Sequence, residues 1–166
     1  MILSFDEIAD WQVFEDLAAA YFEMVQKDSN NDITEVRVEP SGEGPDGGRD
    51  ILVTFRVSDS VQIFERKWVI QCKFYTNSVS KTHLCTVNIP SLIHEYSAHG
   101  YLLICKNGVT SNVSNMFENL RRNCKFGYSY EIWTGPSFLR KIRTEVDFLA
   151  EFFPLYHQYY ISKYGL

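Results

Sequence analysis

Residues 50–73, DILVTFRVSDSVQIFERKWVIQCK, decide the fold of this chain. Within them the β-branched run ILVTFRV, residues 51–57, predicts a buried strand, and a turn at residues 58–60 follows it. The segment KWVIQCKF, residues 67–74, predicts the next strand. Two strands joined by a short connection favour an antiparallel hairpin, here with its centre near residue 61.

The hairpin places polar residues together at its open end. Asp50 stands where the first strand begins, and in this register it comes opposite residues 71–73. Gln71 and Lys73 share one face of the second strand, whereas Cys72 points to the other face, because side chains alternate along a strand. The pattern therefore predicts that Asp50 lies close to Gln71 and Lys73.

Helices and strands surround the hairpin in a regular order. Ser4 followed by Glu7 is a capping-box pattern, and apolar residues at helical spacing predict a first helix over residues 6–26. Alternation in TEVRVEP predicts a strand that ends at Pro40. The remaining predicted elements are a helix within residues 88–99, a strand over 101–105, a helix over 111–123, a strand over 128–134 and a helix over 137–153 capped by Ser137. This order predicts an α/β fold with a central mixed β-sheet flanked by helices.

A carboxylate lies on the apolar side of the first predicted helix. Trp11, Glu15, Ala18 and Phe22 are spaced so that they form one stripe, which should face the core. A buried carboxylate is costly without a partner, and a metal ion or a lysine near the sheet would supply one. Two carboxylates, a backbone carbonyl and a lysine at the end of a hairpin suit a divalent metal that activates water beside a phosphate. Each feature alone also has an ordinary interpretation. The Gly- and Pro-rich segment at residues 44–48 can be a surface turn, Gln71 and Lys73 can be solvent-facing strand residues, and Glu15 can be paired with Lys or Arg.

Composition limits the class of protein. With 166 residues, of which 45% are hydrophobic and 22% charged, the chain can form one domain with a real core, which excludes a disordered or collagen-like protein. No apolar run reaches the ~18 residues of a membrane span and no signal-peptide pattern opens the sequence, so we expect a cytoplasmic protein without membrane contact. Four cysteines without a CxxC pair predict reduced thiols and no structural zinc.

The net charge of −5 hides an uneven distribution. Residues 1–50 hold 13 acidic and 3 basic side chains, whereas residues 51–166 hold 8 and 13, so the two parts carry −10 and +5. The basic part includes five candidate contacts to nucleic-acid phosphates, namely Arg66, Lys67, Arg121, Arg122 and Lys125. Solvated helix faces are an equal alternative for the last three of these residues.

Five segments carry a resemblance to a known family. They are VFEDLAAAYF (residues 13–22), GPDGGRDI (44–51), VIQCKFY (69–75), GYLLICKNGVT (100–110) and, more weakly, EIWTGPSFLRKI (131–142). Their order and spacing resemble the PD-(D/E)xK nuclease superfamily and, within it, the Mrr-like restriction endonucleases. The resemblance implies a restriction-endonuclease-like fold in a single domain over residues 1–166, with its core at 11–142 and a helical, aromatic extension at 143–166.

The resemblance also implies roles for individual residues. Asp50 matches the metal-binding aspartate of the family, and Lys73 matches its catalytic lysine. Gln71 takes the place where many superfamily members have Glu or Asp, and where Mrr-like proteins commonly have Gln. It is therefore expected to be a catalytic residue that offers an oxygen to the metal or to water but no negative charge. Glu15 matches a glutamate that completes the metal site, and Asp46 matches a further acidic position in the glycine-rich loop.

These roles describe a metal site for which Mg²⁺ is the expected cofactor and Mn²⁺ a substitute. Glu15, Asp50 and the backbone carbonyl of Cys72 are the expected ligands, and the number of ions, one or two, is left open. Arg49 stands beside Asp50, where it either contacts a phosphate or screens the acidic loop.

The expected activity is metal-dependent hydrolysis of DNA phosphodiester bonds, with DNA as the partner. The resemblance implies an effector domain in antiviral defence or restriction, with self-association or a fused sensor ATPase domain as further partners. The alternative is a non-catalytic nucleic-acid-binding or oligomerisation module that keeps the nuclease fold, because Gln71 replaces a carboxylate and the chain is acidic. RNA as the substrate is also left open.

Overall fold

Five strands and six α-helices make up the described parts of the chain, which are residues 1–26, 32–41 and 49–165 of a computed structural model. The strands are β1 (Ile33–Pro40), β2 (Ile51–Ser58), β3 (Ile63–Lys73), β4 (Gly100–Cys105) and β5 (Ser129–Trp133). The helices are α1 (Trp11–Val25), α2 (Ile89–Glu95), α3 (Ser111–Asn123), α4 (Gly135–Ile142), α5 (Val146–Phe152) and α6 (Pro154–Tyr164), with short 3₁₀ helices at Phe5–Glu7 and Lys81–Leu84.

The strands form one mixed sheet in the order β1-β2-β3-β4-β5. β1, β2 and β3 pair antiparallel, whereas β3, β4 and β5 pair parallel. Parallel neighbours need a crossover connection, and α2 and α3 supply the two that are required here. The predicted α/β class with a central mixed sheet is confirmed.

The β2–β3 hairpin has the predicted register. Ile51 lies opposite Ile70 and Ser58 lies opposite Ile63, so the pairing is centred between residues 60 and 61. β3 begins four residues earlier than predicted. The ladder extends this far because the carboxylate of Asp59 accepts hydrogen bonds from two backbone N–H groups and closes a tight turn.

Two apolar cores cover the faces of the sheet. On one face, α1, α4 and α5 form the α1 core, in which Phe14 and Phe138 are fully buried. On the other face, α2 and α3 form the α3 core around the fully buried Phe117. Val69 enters the α3 core and Ile70 the α1 core, because successive side chains of β3 point to opposite faces.

The first helix begins later than predicted. α1 starts at Trp11, where the carboxylate of Asp10 accepts a hydrogen bond from the N–H of Val13 over 3.0 Å and caps the helix. Ser4 caps only the 3₁₀ helix at Phe5–Glu7. The predicted start at residue 6 and the predicted capping box are therefore wrong.

The single helix predicted over residues 137–153 is also wrong, because this region forms α4, α5 and the approach to α6. Thr134 takes the capping position of α4, and Ser137 lies within the helix, where its hydroxyl donates to the Thr134 carbonyl over 2.8 Å. Pro154 then begins α6, whose first turn tolerates a residue without an N–H. Among the helices of the described ranges, none is both long and apolar enough to cross a membrane.

Candidate active site

A cavity of about 460 Å³ opens at the carboxyl end of β3 beside the first turns of α1. Eight described residues line it: Asp10, Trp11, Glu15, Asp50, Cys72, Lys73, Phe74 and Tyr75. α1 and its cap supply three of these side chains, and the ends of the β2–β3 hairpin supply the others. Helix and hairpin together bring Glu15, Asp50 and Lys73 into one cavity.

Glu15 is a half-buried carboxylate whose ionisation is disfavoured. Burial and then the charges of Asp50 and Asp16 raise the pKa of Glu15 to about 7, while Lys73 acts in the opposite direction. The effect of Asp50 means that the carboxylates of Glu15 and Asp50 repel each other when both are ionised. A cation between them would remove this repulsion.

The position of Asp50 is fixed by bonds to both neighbouring strands. Its N–H donates to the carbonyl of Ile70 over 2.9 Å, and its carbonyl accepts a hydrogen bond from Ser41 over 2.7 Å. Its carboxylate accepts a hydrogen bond from the N–H of Cys72 over 2.6 Å. The N–H and C=O groups of one strand residue point to the same neighbouring strand, so the carbonyl of Cys72 is directed to the Asp50 side as well.

Lys73 ends β3 and supplies positive charge to the cavity. Its carbonyl accepts a hydrogen bond from the N–H of Lys106 over 2.9 Å, which ties the end of β3 to the end of β4. Its Nζ lies 6.0 Å from the centre of the Tyr75 ring, within cation–π range. The backbone of Lys73 is therefore anchored while its ammonium stays near the carboxylates.

Gln71 does not share the cavity with Lys73. The hydroxyl of Tyr101 donates to Oε1 of Gln71 over 2.7 Å, and the two side chains are 0% and 3% exposed, respectively. Both belong to the side of the sheet covered by the α3 core. The structure thus places Gln71 next to the cavity, in the sheet, with its oxygen bound to tyrosine.

Residues 7–140 match the sequence profile described as restriction endonuclease, Mrr_cat. The chain belongs to the Mrr-type restriction endonuclease family. Curated protein sequences give no match.

Two solved structures resemble the fold of this Mrr-type domain. The DNA modification-dependent restriction endonuclease AspBHI aligns with a TM-score of 0.53 and 18% identity, over 80% of this chain and 30% of its own. The MspJI restriction endonuclease, in complex with a 27-mer oligonucleotide, aligns with a TM-score of 0.54 and 18% identity, over 80% of this chain and 28% of its own. The predicted restriction-endonuclease-like fold is confirmed, and the chain spans less than a third of the length of either enzyme.

The donor groups of the cavity fit the divalent metal ion that restriction endonucleases generally use. Within the described ranges, no three His, Cys, Asp or Glu side chains form a cluster that could hold a metal ion by themselves. The oxygen donors expected from the sequence are the carboxylates of Glu15 and Asp50 and the carbonyl of Cys72. The carboxylate of Asp10 also lines the cavity, where it caps α1. Carboxylates and carbonyls are the donors that Mg²⁺ accepts. A bound cation would relieve the repulsion from Asp50 that, after burial, raises the pKa of Glu15.

The two further candidates of the glycine-rich loop are placed differently. Asp46 lies outside the described residues. Arg49 turns to α2, where its guanidinium lies 4.8 Å from the ring centre of Tyr96. This contact directs the Arg49 side chain to the side of the sheet opposite to Glu15.

The basic residues of β3 lie far along the strand from Lys73. Arg66 stacks over Trp68 at 5.5 Å and donates a hydrogen bond to the hydroxyl of Ser129 over 3.1 Å. The backbone N–H of Lys67 donates to Nδ1 of His99. Neither residue lines the cavity.

The basic residues of α3 are paired with carboxylates. Arg121 lies 3.3 Å from Glu118 and 3.8 Å from Glu131, and Arg122 lies 3.8 Å from Glu118. This pairing favours the helix-face interpretation for both arginines. Lys125 lines a different groove, beside α3.

Tyr101 is the residue that the sequence did not single out. It stands in a short apolar strand, YLLIC, which gives no sign that its hydroxyl reaches Gln71. The contact depends on the parallel register that puts Tyr101 opposite Val69 and Leu103 opposite Gln71. A polar ring in an otherwise apolar strand is the one available signal, because a buried tyrosine hydroxyl usually finds a partner.

Proposed function

We propose that this domain is an endonuclease that hydrolyses phosphodiester bonds of DNA with a divalent cation. One observation carries the proposal: Glu15, Asp50 and Lys73, which come from separate elements, line a single cavity. Membership of the restriction endonuclease family supports the reaction class. The oligonucleotide in the MspJI structure supports DNA as the substrate.

The metal ligands in this proposal are the carboxylates of Glu15 and Asp50 and the carbonyl of Cys72. Mg²⁺ is the expected ion and Mn²⁺ its substitute. When bound, the ion would polarise the scissile phosphate and lower the pKa of a bound water. Asp50 is held in place for this role by the N–H of Cys72, and Glu15 must lose its proton before it can act as a ligand.

Lys73 acts on the phosphate in this proposal. Its ammonium shares the cavity with both carboxylates, so it is placed to neutralise the negative charge that develops on the phosphate and to orient the attacking water. Gln71 brings no charge to the cavity, because its amide oxygen accepts the hydrogen bond of Tyr101. Its contribution is to hold the end of β3, on which Lys73 stands.

Family membership supports a role in DNA restriction or antiviral defence. We infer that the domain acts as an effector that works with self-association or with a fused sensor domain. AspBHI and MspJI each extend well beyond the part that this chain matches, which is consistent with a nuclease domain that works beside other domains.

Cleavage of supercoiled plasmid in Mg²⁺ or Mn²⁺ tests the catalytic assignment. We expect Asp50→Asn and Lys73→Ala each to lower the rate by roughly 100-fold or more, as the loss of an electrostatic catalytic group does. Asp147→Asn, at an exposed aspartate of α5, is the matched control and should cleave at the wild-type rate. Undiminished cleavage in both site variants would contradict the proposal. Comparing cleavage of the DNA with cleavage of an RNA of the same sequence shows which nucleic acid is preferred.

Calorimetry with Mn²⁺ separates the endonuclease from a non-catalytic binding module. The endonuclease should bind Mn²⁺ through a site that Asp50→Asn removes and Asp147→Asn retains. A non-catalytic module should show no Mn²⁺ binding that depends on Asp50. The absence of such binding would therefore favour the module.

A further inference from the structure

A second groove, of about 450 Å³, lies on the α3-core side of the sheet. α2, α3 and the loop that leads from α3 to β5 line it. The residues that matter most are His94, Phe126 and Tyr128, together with Lys81 and Lys125. None of them lines the catalytic cavity.

The groove presents an aromatic ring to solvent. Phe126 is 71% exposed, and its ring stacks on Tyr128 with a centre-to-centre distance of 5.6 Å and an angle of 26°. The ring of His94 stands edge-on to both, at 5.5 Å and 5.4 Å. Phe126 thus packs on Tyr128 and His94 while most of its surface stays open to solvent, where a base could stack.

Cations and amides accompany the aromatic ring. Lys81 and Lys125 line the same groove, as do the side chains of Asn119 and Asn123. A flat ring, an ammonium group and amide donors together match a nucleotide, which offers a base to stack, a phosphate to neutralise and base edges to bind.

One short helix connects this groove with the catalytic cavity. In the 3₁₀ helix Lys81–Leu84, Lys81 lines the groove, whereas the ring of His83 packs on Tyr75 at 4.4 Å. Tyr75 lines the catalytic cavity, and Lys73 lies within cation–π range of its ring. Aromatic and cationic groups therefore alternate from the catalytic cavity to the groove, as they do along surfaces that bind single strands.

We propose that this groove binds single-stranded DNA, with one base stacked on Phe126 and the backbone running past Lys81 towards the catalytic cavity. An unpaired strand is required, because a base within a duplex has no free face for Phe126. The charge of Lys81 and Lys125 holds the phosphates and makes the binding dependent on salt. The proposal concerns binding alone and goes beyond the endonuclease activity.

Fluorescence anisotropy with a dye-labelled DNA strand of about 12 nucleotides, in EDTA so that no cleavage occurs, tests the groove. We expect Phe126→Ala to weaken binding roughly tenfold, as the loss of one stacking ring does. Tyr164→Ala is the matched control, because it removes a ring that is 58% exposed at the end of α6, and it should leave the affinity unchanged. Lys81→Ala should weaken binding and reduce its dependence on salt.

The proposed binding of DNA in the groove is contradicted if wild type and Phe126→Ala bind the strand with equal affinity. It is also contradicted if Tyr164→Ala loses as much affinity as Phe126→Ala. A larger loss of affinity in Phe126→Ala for the matching duplex, or for the matching RNA, than for the DNA strand would overturn the assignment to single-stranded DNA. A wild type that binds the strand but cuts no plasmid contradicts only the endonuclease. If the wild type cuts plasmid and Phe126→Ala binds the strand with wild-type affinity, only the proposed binding of DNA in the groove is contradicted.

Discussion

The hydroxyl of Tyr101 donates a hydrogen bond to the side-chain oxygen of Gln71 over 2.7 Å, inside the sheet. Burial, with a contribution from the charge of Asp50, raises the pKa of Tyr101 well above its usual range, so the hydroxyl keeps its proton and acts as the donor. The amide oxygen of Gln71 is thereby held on the side of the α3 core. The carboxylates that line the cavity are those of Glu15 and Asp50, together with Asp10 at the start of α1.

Removal of this hydroxyl should destabilise the domain. Tyr101→Phe keeps the ring but leaves the buried oxygen of Gln71 without its donor, which we expect to lower the free energy of unfolding by about 1–3 kcal/mol. Urea denaturation measures the change. Tyr130→Phe is the matched control, since that hydroxyl donates to the sulfur of Cys124 over 3.9 Å, a weaker acceptor, and its loss should cost less stability. Equal losses in the two variants would contradict the importance of the Gln71 bond.

The raised pKa of Glu15 should make the metal-free protein less stable as the pH rises. A carboxyl with a pKa of about 7 in the folded state and 4.5 as its ordinary value binds more protons folded than unfolded between these values. Stability therefore falls as the pH rises through this window, and the full cost is present above pH 7.

Glu15→Gln cannot ionise and so avoids this loss of stability. In EDTA, the melting temperature of Glu15→Gln minus that of wild type should therefore become larger between pH 4.5 and pH 8. Glu23→Gln is the matched control, because Glu23 is an exposed residue of the same helix, and its difference from wild type should stay constant. If the melting-temperature difference between Glu15→Gln and wild type does not change with pH, ionisation of Glu15 does not destabilise the folded protein. Added Mn²⁺ should stabilise the wild type at pH 8 and leave Glu15→Gln nearly unchanged.

Local patterns predicted the hairpin and the position of Asp50, because strand alternation and a short turn fix the register within a few residues. They could not predict the Tyr101–Gln71 bond, since the register of parallel strands depends on how the crossover helices pack. Glu7 shows the same limit. It lies three residues after Ser4 and suggests a capping box, but its carboxylate binds a helix at the other end of the chain.

Glu7 acts as the missing cap of α6. Its carboxylate accepts hydrogen bonds from the N–H groups of Leu155 and Tyr156 over 2.7 and 3.0 Å, in the first turn of the helix. The preceding residue, Phe153, has no side chain that could do this. We expect Glu7→Ala to lower the free energy of unfolding by about 1–2 kcal/mol, as the loss of a charged cap does.

Urea denaturation checks the effect of Glu7→Ala, with Glu23→Ala as the control for loss of an exposed glutamate. Glu7→Gln should fall between the two, because its single amide oxygen can replace only one of the two carboxylate oxygens. If Glu7→Ala and Glu23→Ala are equally stable, the carboxylate of Glu7 does not hold α6.

At Gly135 the start of α4 lies against the backbone that follows β4. A Cβ atom at this position would lie 1.8 Å from the carbonyl oxygen of Lys106, whose N–H donates to the carbonyl of Lys73. Gly135→Ala must therefore displace the backbone that anchors Lys73, and we expect it to lower the free energy of unfolding by more than ~3 kcal/mol or to prevent folding. Thermal unfolding measures this against Gly108→Ala, whose Cβ would meet only the hydroxyl of Ser78 at 3.8 Å and should be tolerated. Two equally stable variants would mean that α4 and β4 have more room than this geometry allows, and Lys73 would then owe its position to other contacts.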